Sequence, residues 1–284
     1  LIFGQDSGMS PIQLVHLHNE DWIVKQRHAG FVVAKCLSNF KEMIKEPGVN
    51  LKDVERESEK IISDNDCLPT FKGYNGFPGA VCLSVNKDMV HGIPKDYVIK
   101  SGDIVTLDLG ATFGGAISDA ALTVISGKPK KREHVDLVES CRKALYSGIK
   151  AIKLGNNLGC IGNAIDKCNK SNFYNFSLVT NYGGHSLTWD KPHSDPFVAN
   201  KSKRDEGIHI ISGLTLAIEP MLVIGSSKTR KSNDGWTIST SGLNSHAEHT
   251  IFVHDDCVEI MTWREEESEE ISNKLFFNLK LGMV

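Results

Sequence analysis

Four acidic residues stand in stretches that are otherwise apolar. Asp108 falls in Ile104-Val-Thr-Leu-Asp-Leu109, and Asp119 leads into Ala120 to Ile125. Glu219 ends Leu214-Thr-Leu-Ala-Ile-Glu219, and Glu248 precedes His249-Thr-Ile-Phe-Val253. An ionised carboxylate moved out of water without a partner is very costly. A single acid of this kind ordinarily caps a turn or pairs with Lys or Arg. Four at matched positions point instead to shared cations. Four carboxylates balance two divalent ions in charge, and such an oxygen-rich pair of sites suits Mn, Fe(II), Co or Zn. Two ions roughly 3.5–4 Å apart can hold a hydroxide and polarise a carbonyl, which is hydrolytic chemistry.

Three histidines have suitable company. His185 follows Gly183-Gly184, His193 lies in Pro192-His-Ser-Asp-Pro196, and His91 lies in Val90-His-Gly-Ile-Pro94. His16, His18, His28, His134, His209, His246 and His254 read as ordinary surface or core histidines. His249 adjoins Glu248, so in a strand it points to the opposite face and takes no role at the acids.

The elements that must position these groups show a repeat. An apolar period of about 3.6 predicts a helix from Glu20 to about Lys45, stopped by Glu46-Pro-Gly48, and a second from about Leu51 to Asp64. Strands are expected over Val81–Val85, Asp103–Leu109 and Ala120–Ile125, with a turn from Gly110 to Gly115. After a linker from Gly127 to Arg132, helices are expected over Val135–Ile152 and onward to about Asn169, then strands and turns to Thr262. Ser101-Gly102 precedes Asp108 as Ser212-Gly213 precedes Glu219. Ile44 to Leu51 echoes Ile152 to Leu158. The pattern is an α+β chain of two similar halves, 20–126 and 135–262, facing each other within one domain, 20–262. A lead (1–19) and a tail (263–284) flank it.

Composition sets outer limits. The 284 residues are 40% hydrophobic and 24% charged, with a net charge of −3, so the chain is globular and has no global basic field. Five Glu crowd residues 265–270. The longest apolar stretch, Gly213 to Gly225, is interrupted by Glu219 and Pro220 and is too short for a membrane span. The start lacks the pattern of a secretory signal. The seven cysteines are scattered and form no C-x-x-C, which suits free thiols in the cytoplasm. Basic clusters at Lys128 to Arg132, Lys201 to Arg204 and Lys228 to Lys231 read as solvated loops, with no specific nucleic-acid partner.

With these residues in view, the chain resembles the type I methionine aminopeptidases, which have the two-fold pita-bread fold. The resemblance spans about residues 20–262. It rests on Gly73-Tyr-Asn-Gly-Phe-Pro78, Val90-His-Gly-Ile-Pro94, Gly102-Asp-Ile-Val-Thr-Leu-Asp108, Ser118-Asp119, Gly184-His185, Ala217-Ile-Glu-Pro-Met221 and Ala247-Glu-His-Thr250. It implies a curved antiparallel sheet with outer helices, and two divalent ions. By this resemblance Asp108 would chelate one ion, Asp119 and Glu248 would bridge both, and His185 and Glu219 would complete the second site. Glu219 would also move the proton between water and product. His91 and His193 would contact the peptide. Phe71, Tyr74, Phe77, Cys82 and Trp236 would line a pocket for the first side chain. The chain departs from the family over Ser186 to Pro192, where Trp189, Asp190 and Lys191 stand.

The implied activity is hydrolytic release of N-terminal Met from nascent chains with a small second residue, by a cytoplasmic monomer, with a ribosome contact as a further expectation. Two alternatives stand beside it. One is an Xaa-Pro aminopeptidase or prolidase, against which the short lead argues. The other is a non-catalytic module on a nucleic-acid or ribosomal surface, against which the filled ligand positions argue.

Overall fold

The computed structural model describes residues 16–277. In the first half, α1 (Glu20–Met43) and α2 (Leu51–Asp64) precede β1 (Leu68–Pro69), β2 (Cys82–Val85), β3 (Asp88–Val90), β4 (Ile104–Phe113) and β5 (Ala116–Ile125). In the second, α3 (Arg132–Lys150) and α4 (Gly159–Lys170) precede β6 (Ser177–Leu178), β7 (Gly184–Thr188), β8 (Lys191–Val198), β9 (Thr215–Ile218), β10 (Met221–Val223), β11 (Thr229–Lys231), β12 (Ile238–Thr240), β13 (Asn244–His246), β14 (His249–Val253), β15 (Cys257–Ile260) and β16 (Lys274–Phe276).

Local chemistry explains where the helices begin. The Asn19 side chain accepts from the Trp22 amide, and Glu20 and Asp21 fill the first turn of α1. Asn50 caps α2 in the same way through the Lys52 amide. Each helix pair then covers one sheet. Val33, Leu37 and Phe40 of α1 join Val105, Leu107 and Leu109 of β4 in one core. Leu137, Cys141 and Leu145 of α3 join Leu216 and Ile218 of β9 and Ile251 and Val253 of β14 in another. Fully burying one such Leu or Val contributes about 1.5–3 kcal/mol. Alternate residues face the other way, so Thr106, Asp108 and Gly110 project away from the first core.

All strand pairs are antiparallel. The first sheet carries β4 at its centre, with β5 along one edge and β1 and β2 sharing the other. The second runs β16-β15-β14-β9-β7-β8. The expected turn over Gly110–Gly115 shortens to Gly114 and Gly115, because β4 continues to Phe113 and pairs with β5 over ten residue pairs. Gly110 stays in the strand, where a Cβ would lie 3.0 Å from Thr70. Beyond residue 262, β16 pairs with β15, and Leu275 and Phe277 pack against the second core. Residues 1–15 of the expected lead, and Leu279 and Leu281 of the expected tail, lie outside the described residues. No helix among the described residues is long and apolar enough to cross a membrane.

Candidate metal centre

The register of each half brings two acids together. Asp108 pairs with Ala121 and Gly110 with Asp119, so Asp108 and Asp119 are diagonal neighbours on one face of β4 and β5. In the second half, His249 pairs with Ile218 and Met221 with His246. Glu219 and Glu248 fall opposite each other at the junction between those two ladders.

Cross-half hydrogen bonds then set one pair against the other. The Glu248 amide donates to the Ala121 carbonyl at 3.0 Å. The Asp119 amide donates to Thr250 Oγ1 at 2.8 Å, and the same hydroxyl donates to the Asp119 carbonyl at 2.7 Å. Asn200 Nδ2 donates to the Glu219 carbonyl at 3.1 Å. His185 comes from β7, which approaches β9 so closely that a Cβ on Gly184 would lie 2.0 Å from the Ala217 carbonyl oxygen. That contact requires glycine, and it delivers the next side chain to the acids.

The ligand atoms converge. Those of Asp108, Asp119 and Glu248 form one group within 4.8 Å of one another, those of His185, Glu219 and Glu248 a second, and those of Asp119, His185 and His193 a third. His185 Nδ1 lies 3.2 Å from the Ser186 carbonyl and donates to it, which leaves Nε2 free as an acceptor 3.6 Å from Glu219 Oε1. Asp119 Oδ1 is buried with no hydrogen-bond partner among the described residues. Among the described residues, no Lys or Arg forms an ion pair with any of the four acids. A mixed set of carboxylates and imidazole, buried and lacking a protein cation, fits hard or borderline divalent ions.

The electrostatics agree. Burial pushes all four carboxyls upward, and mutual repulsion among them pushes Asp108 and Glu248 further. Asp119 rises to about 8 through burial and then Glu219, and Glu219 to about 7 through burial, offset by His185. Burial also lowers the histidines, His91 to about 4 and His193 well below the usual range, so both rings are neutral near pH 7. His91 sits in the left-handed region at φ 56°, a conformation rare for a residue with a side chain.

The remaining expected site residues surround these groups. The His193 ring centroid lies 4.4 Å from that of His185 and 5.6 Å from that of Tyr74. Phe71, Phe77 and Cys82 form an apolar cluster completed by Ile93 and Trp236, with Trp236 edge-on to Phe77. Cys82 pairs directly with Asp108, so this cluster abuts the acids. Burial, and then Asp108, holds the Cys82 thiol protonated, which suits a pocket wall and not a ligand. His249 turns away from the acids, with Nδ1 2.9 Å from Thr262 Oγ1. Over Ser186 to Pro192 the chain forms the β7–β8 hairpin, whose Trp189 packs edge-on against Trp22.

One neighbour escaped the sequence reading. His246, treated there as an ordinary histidine, lies with Nε2 3.3 Å from Glu219 Oε2. Its position two residues before Glu248 on an extended segment was the available signal, since period two puts both on one face. Burial lowers it to about 3, so this ring too is neutral.

Comparison with known proteins bears on the same residues. The model of metallopeptidase family M24 matches residues 25–255. A methionine aminopeptidase of Mycoplasma capricolum is 35% identical over 88% of this chain and 98% of its own length. The crystal structure of methionine aminopeptidase from Thermotoga maritima superposes with a TM-score of 0.84 at 35% identity, covering 89% of this chain and all of that one. The prolidase of Pyrococcus furiosus shares the fold at a TM-score of 0.70, with 19% identity and 66% of its length covered. The chain belongs to metallopeptidase family M24 and, within it, to the methionine aminopeptidases.

Proposed function

We propose that the protein is a metal-dependent methionyl aminopeptidase that removes Met from the N terminus of nascent chains whose second residue is small. The observation that carries this reading is the convergence of three buried carboxylates, the half-buried Glu219 and one imidazole, with no protein cation beside them among the described residues. Asp108, Asp119, His185, Glu219 and Glu248 would hold two divalent ions, with Asp119 and Glu248 placed to serve both. When bound, the ions supply the Lewis acidity that polarises the scissile carbonyl and acidifies water.

The chain's own residues do the rest. Glu219 takes a proton from water and returns it to the departing amine. His193 and His91, both neutral, donate N–H groups to the peptide, and His193 stabilises the oxygen that gains charge during attack. Phe71, Tyr74, Phe77, Cys82 and Trp236 receive the Met side chain, because a flexible thioether packs well against aromatic walls. Work on nascent chains places the enzyme in the cytoplasm. The exposed basic segments at Lys201 to Arg204 and at Lys228 to Lys231, the latter running into β11, are the surfaces that would face a ribosome.

The purified protein, supplied with Mn, Co or Fe(II), is expected to release Met from a Met-Ala-Ser peptide and to leave an Xaa-Pro peptide intact. Folded protein that releases no Met with any of these ions would refute the assignment, and a preference for the Xaa-Pro peptide would move it to the prolidase branch.

A further inference from the structure

His246 has no part in the mechanism above, yet its ring lies against the acid that the mechanism uses most. The residue is 1% exposed. Its Nε2 is 3.3 Å from Glu219 Oε2 and 3.9 Å from Glu248 Oε2. The other Glu219 oxygen, Oε1, is the one 3.6 Å from His185 Nε2. Glu219 therefore lies between two imidazoles, one at each oxygen. The backbone of His246 is held firmly. Its amide donates to Thr123 Oγ1 at 3.0 Å, and its carbonyl accepts from the same hydroxyl at 2.6 Å. Thr123 belongs to β5, so the opposite half of the molecule fixes where the ring stands.

The ring itself is unsatisfied. Neither nitrogen completes a hydrogen bond among the described residues, and Ser245 Oγ and Arg264 Nη1 nearby are buried without partners as well. Leaving such groups unpaired away from water is unfavourable. Ser245, His246 and Arg264 line one cavity of about 20 Å³. A single water needs roughly 10–15 Å³ and two to four polar partners. Arg264 can only donate, so a water there accepts from Nη1 and turns a hydrogen toward Nδ1. A neutral imidazole carries one N–H. With Nδ1 accepting, that proton sits on Nε2 and faces Glu219 Oε2 at 3.3 Å.

We propose that His246 is a positioning residue for Glu219: its Nε2–H holds Oε2, a single water in the cavity fixes its tautomer, and Oε1 is left on the His185 side. This rests on the assignment of Glu219 to the metal centre. His246 is absent from the groups whose ligand atoms converge, so it works through Glu219 and not on the ion. Groups that orient a ligand in this way are worth about 10–100-fold in metal affinity.

The test is titration of the metal-free full chain with Co(II), followed by heat of binding and by visible absorption. His246→Gln keeps an N–H near the position of Nε2, whereas His246→Asn reaches only that of Nδ1. The Gln variant is expected to bind within about threefold of the parent, and the Asn and Ala variants about 10–100-fold more weakly with an altered Co(II) spectrum. Equal affinity and spectrum for parent, Asn and Ala overturn the role, as does a Gln variant no better than Asn. If the Ala variant fails to fold, the Gln and Asn pair decides alone. A parent that takes up no Co(II) removes the metal-site assignment, and this role with it, whereas a parent that binds beside indifferent variants removes only the role. A crystal structure should place one water within hydrogen-bond distance of Nδ1, and a dry cavity would overturn the tautomer.

Discussion

Two sets of acids lie equally deep in this protein and behave in opposite ways. Asp108, Asp119 and Glu248 are 8%, 2% and 2% exposed, and Glu259 and Glu267 are 6% and 3%. Glu259 takes a two-pronged contact from Arg27 at 2.8 and 2.7 Å and a third from His254 at 2.7 Å. Glu267 accepts from Tyr146 Oη at 2.7 Å and from the Arg264 amide at 3.0 Å, and it also pairs with the Arg264 guanidinium and with His249. Despite their burial, both are held below the ordinary carboxylate range, Glu259 chiefly by the hydrogen bond from Arg27 and Glu267 chiefly by His249. The four site acids are pushed above it. The sets nearly touch, since Glu248 and His249 are consecutive and face opposite ways. Depth therefore says nothing about purpose. What surrounds the carboxylate decides whether it is finished by protein or left for an ion.

Removing one acid from each set should break them differently. Asp108→Ala or Glu248→Ala is expected to lower Met release by at least about 10³-fold and to abolish tight Co(II) binding. The metal-free variant should melt no lower than the parent, because a repelling buried charge has gone. A large fall in its melting temperature would mean that the acid was paired after all. Glu267→Ala should do the reverse, costing about 3–5 kcal/mol in denaturant unfolding because Arg264 and His249 are stranded. An unchanged unfolding midpoint would sink that contrast.

Acidity sharpens the comparison next. Above about pH 6.5 the buried histidines, whose values burial lowers, are neutral in both states, and with Asp119 near 8 and Glu219 near 7 the folded metal-free state binds more protons than the unfolded one up to about pH 8. Its stability should fall as pH rises through that window. Glu259 and Glu267 act in the other direction, since their depressed values give stability that is present above about pH 4.5 and lost on acidification. The metal-free melting temperature should therefore peak at mildly acid pH, and added divalent ion should remove the decline above it. A metal-free melting temperature that stays level or climbs from about pH 6.5 to pH 8 would contradict this. The smallest effect is expected at the pocket. Trp236→Ala should raise KM for a Met peptide about 5–30-fold with kcat little changed, as lost uniform binding does. A fall confined to kcat would place Trp236 in the chemistry instead.

How much of this could be read from the residues varied with the range of the interactions. The helices were legible because both signals are local. Apolar spacing set α2 at Leu51–Asp64, and Asn50 marks its start. The extent of β4 was not, because Ala111 and Thr112 are held in the strand by Pro69 and Leu68, some forty positions earlier. The acids stood out as charges among branched side chains, and the order of the two hairpins carried the repeat. His246 did not stand out, since its role depends on where two ladders meet and on Thr123 from the other half. The run of Glu from 265 to 270 was legible as charge alone. Glu267 turns inward to Tyr146 of α3, Glu266 contacts Ser38 of α1, and Glu270 pairs with Arg142 of α3, so most of this acidity is already spoken for by distant parts of the chain.

The cross-half clamp of Thr250 on Asp119 also bears on how the protein is made. Synthesis proceeds from the first residue onward. Asp108 and Asp119 leave the ribosome well before Glu219, Glu248 and the strand that carries Thr250. Until those later strands arrive, the early hairpin holds two crowded negative groups and lacks the ligands that would let it retain an ion. A catalyst that acts at the beginning of other proteins' lives thus becomes competent only after both acid-bearing halves of its own chain have been made. Any trimming of its own nascent N terminus falls to a copy completed earlier.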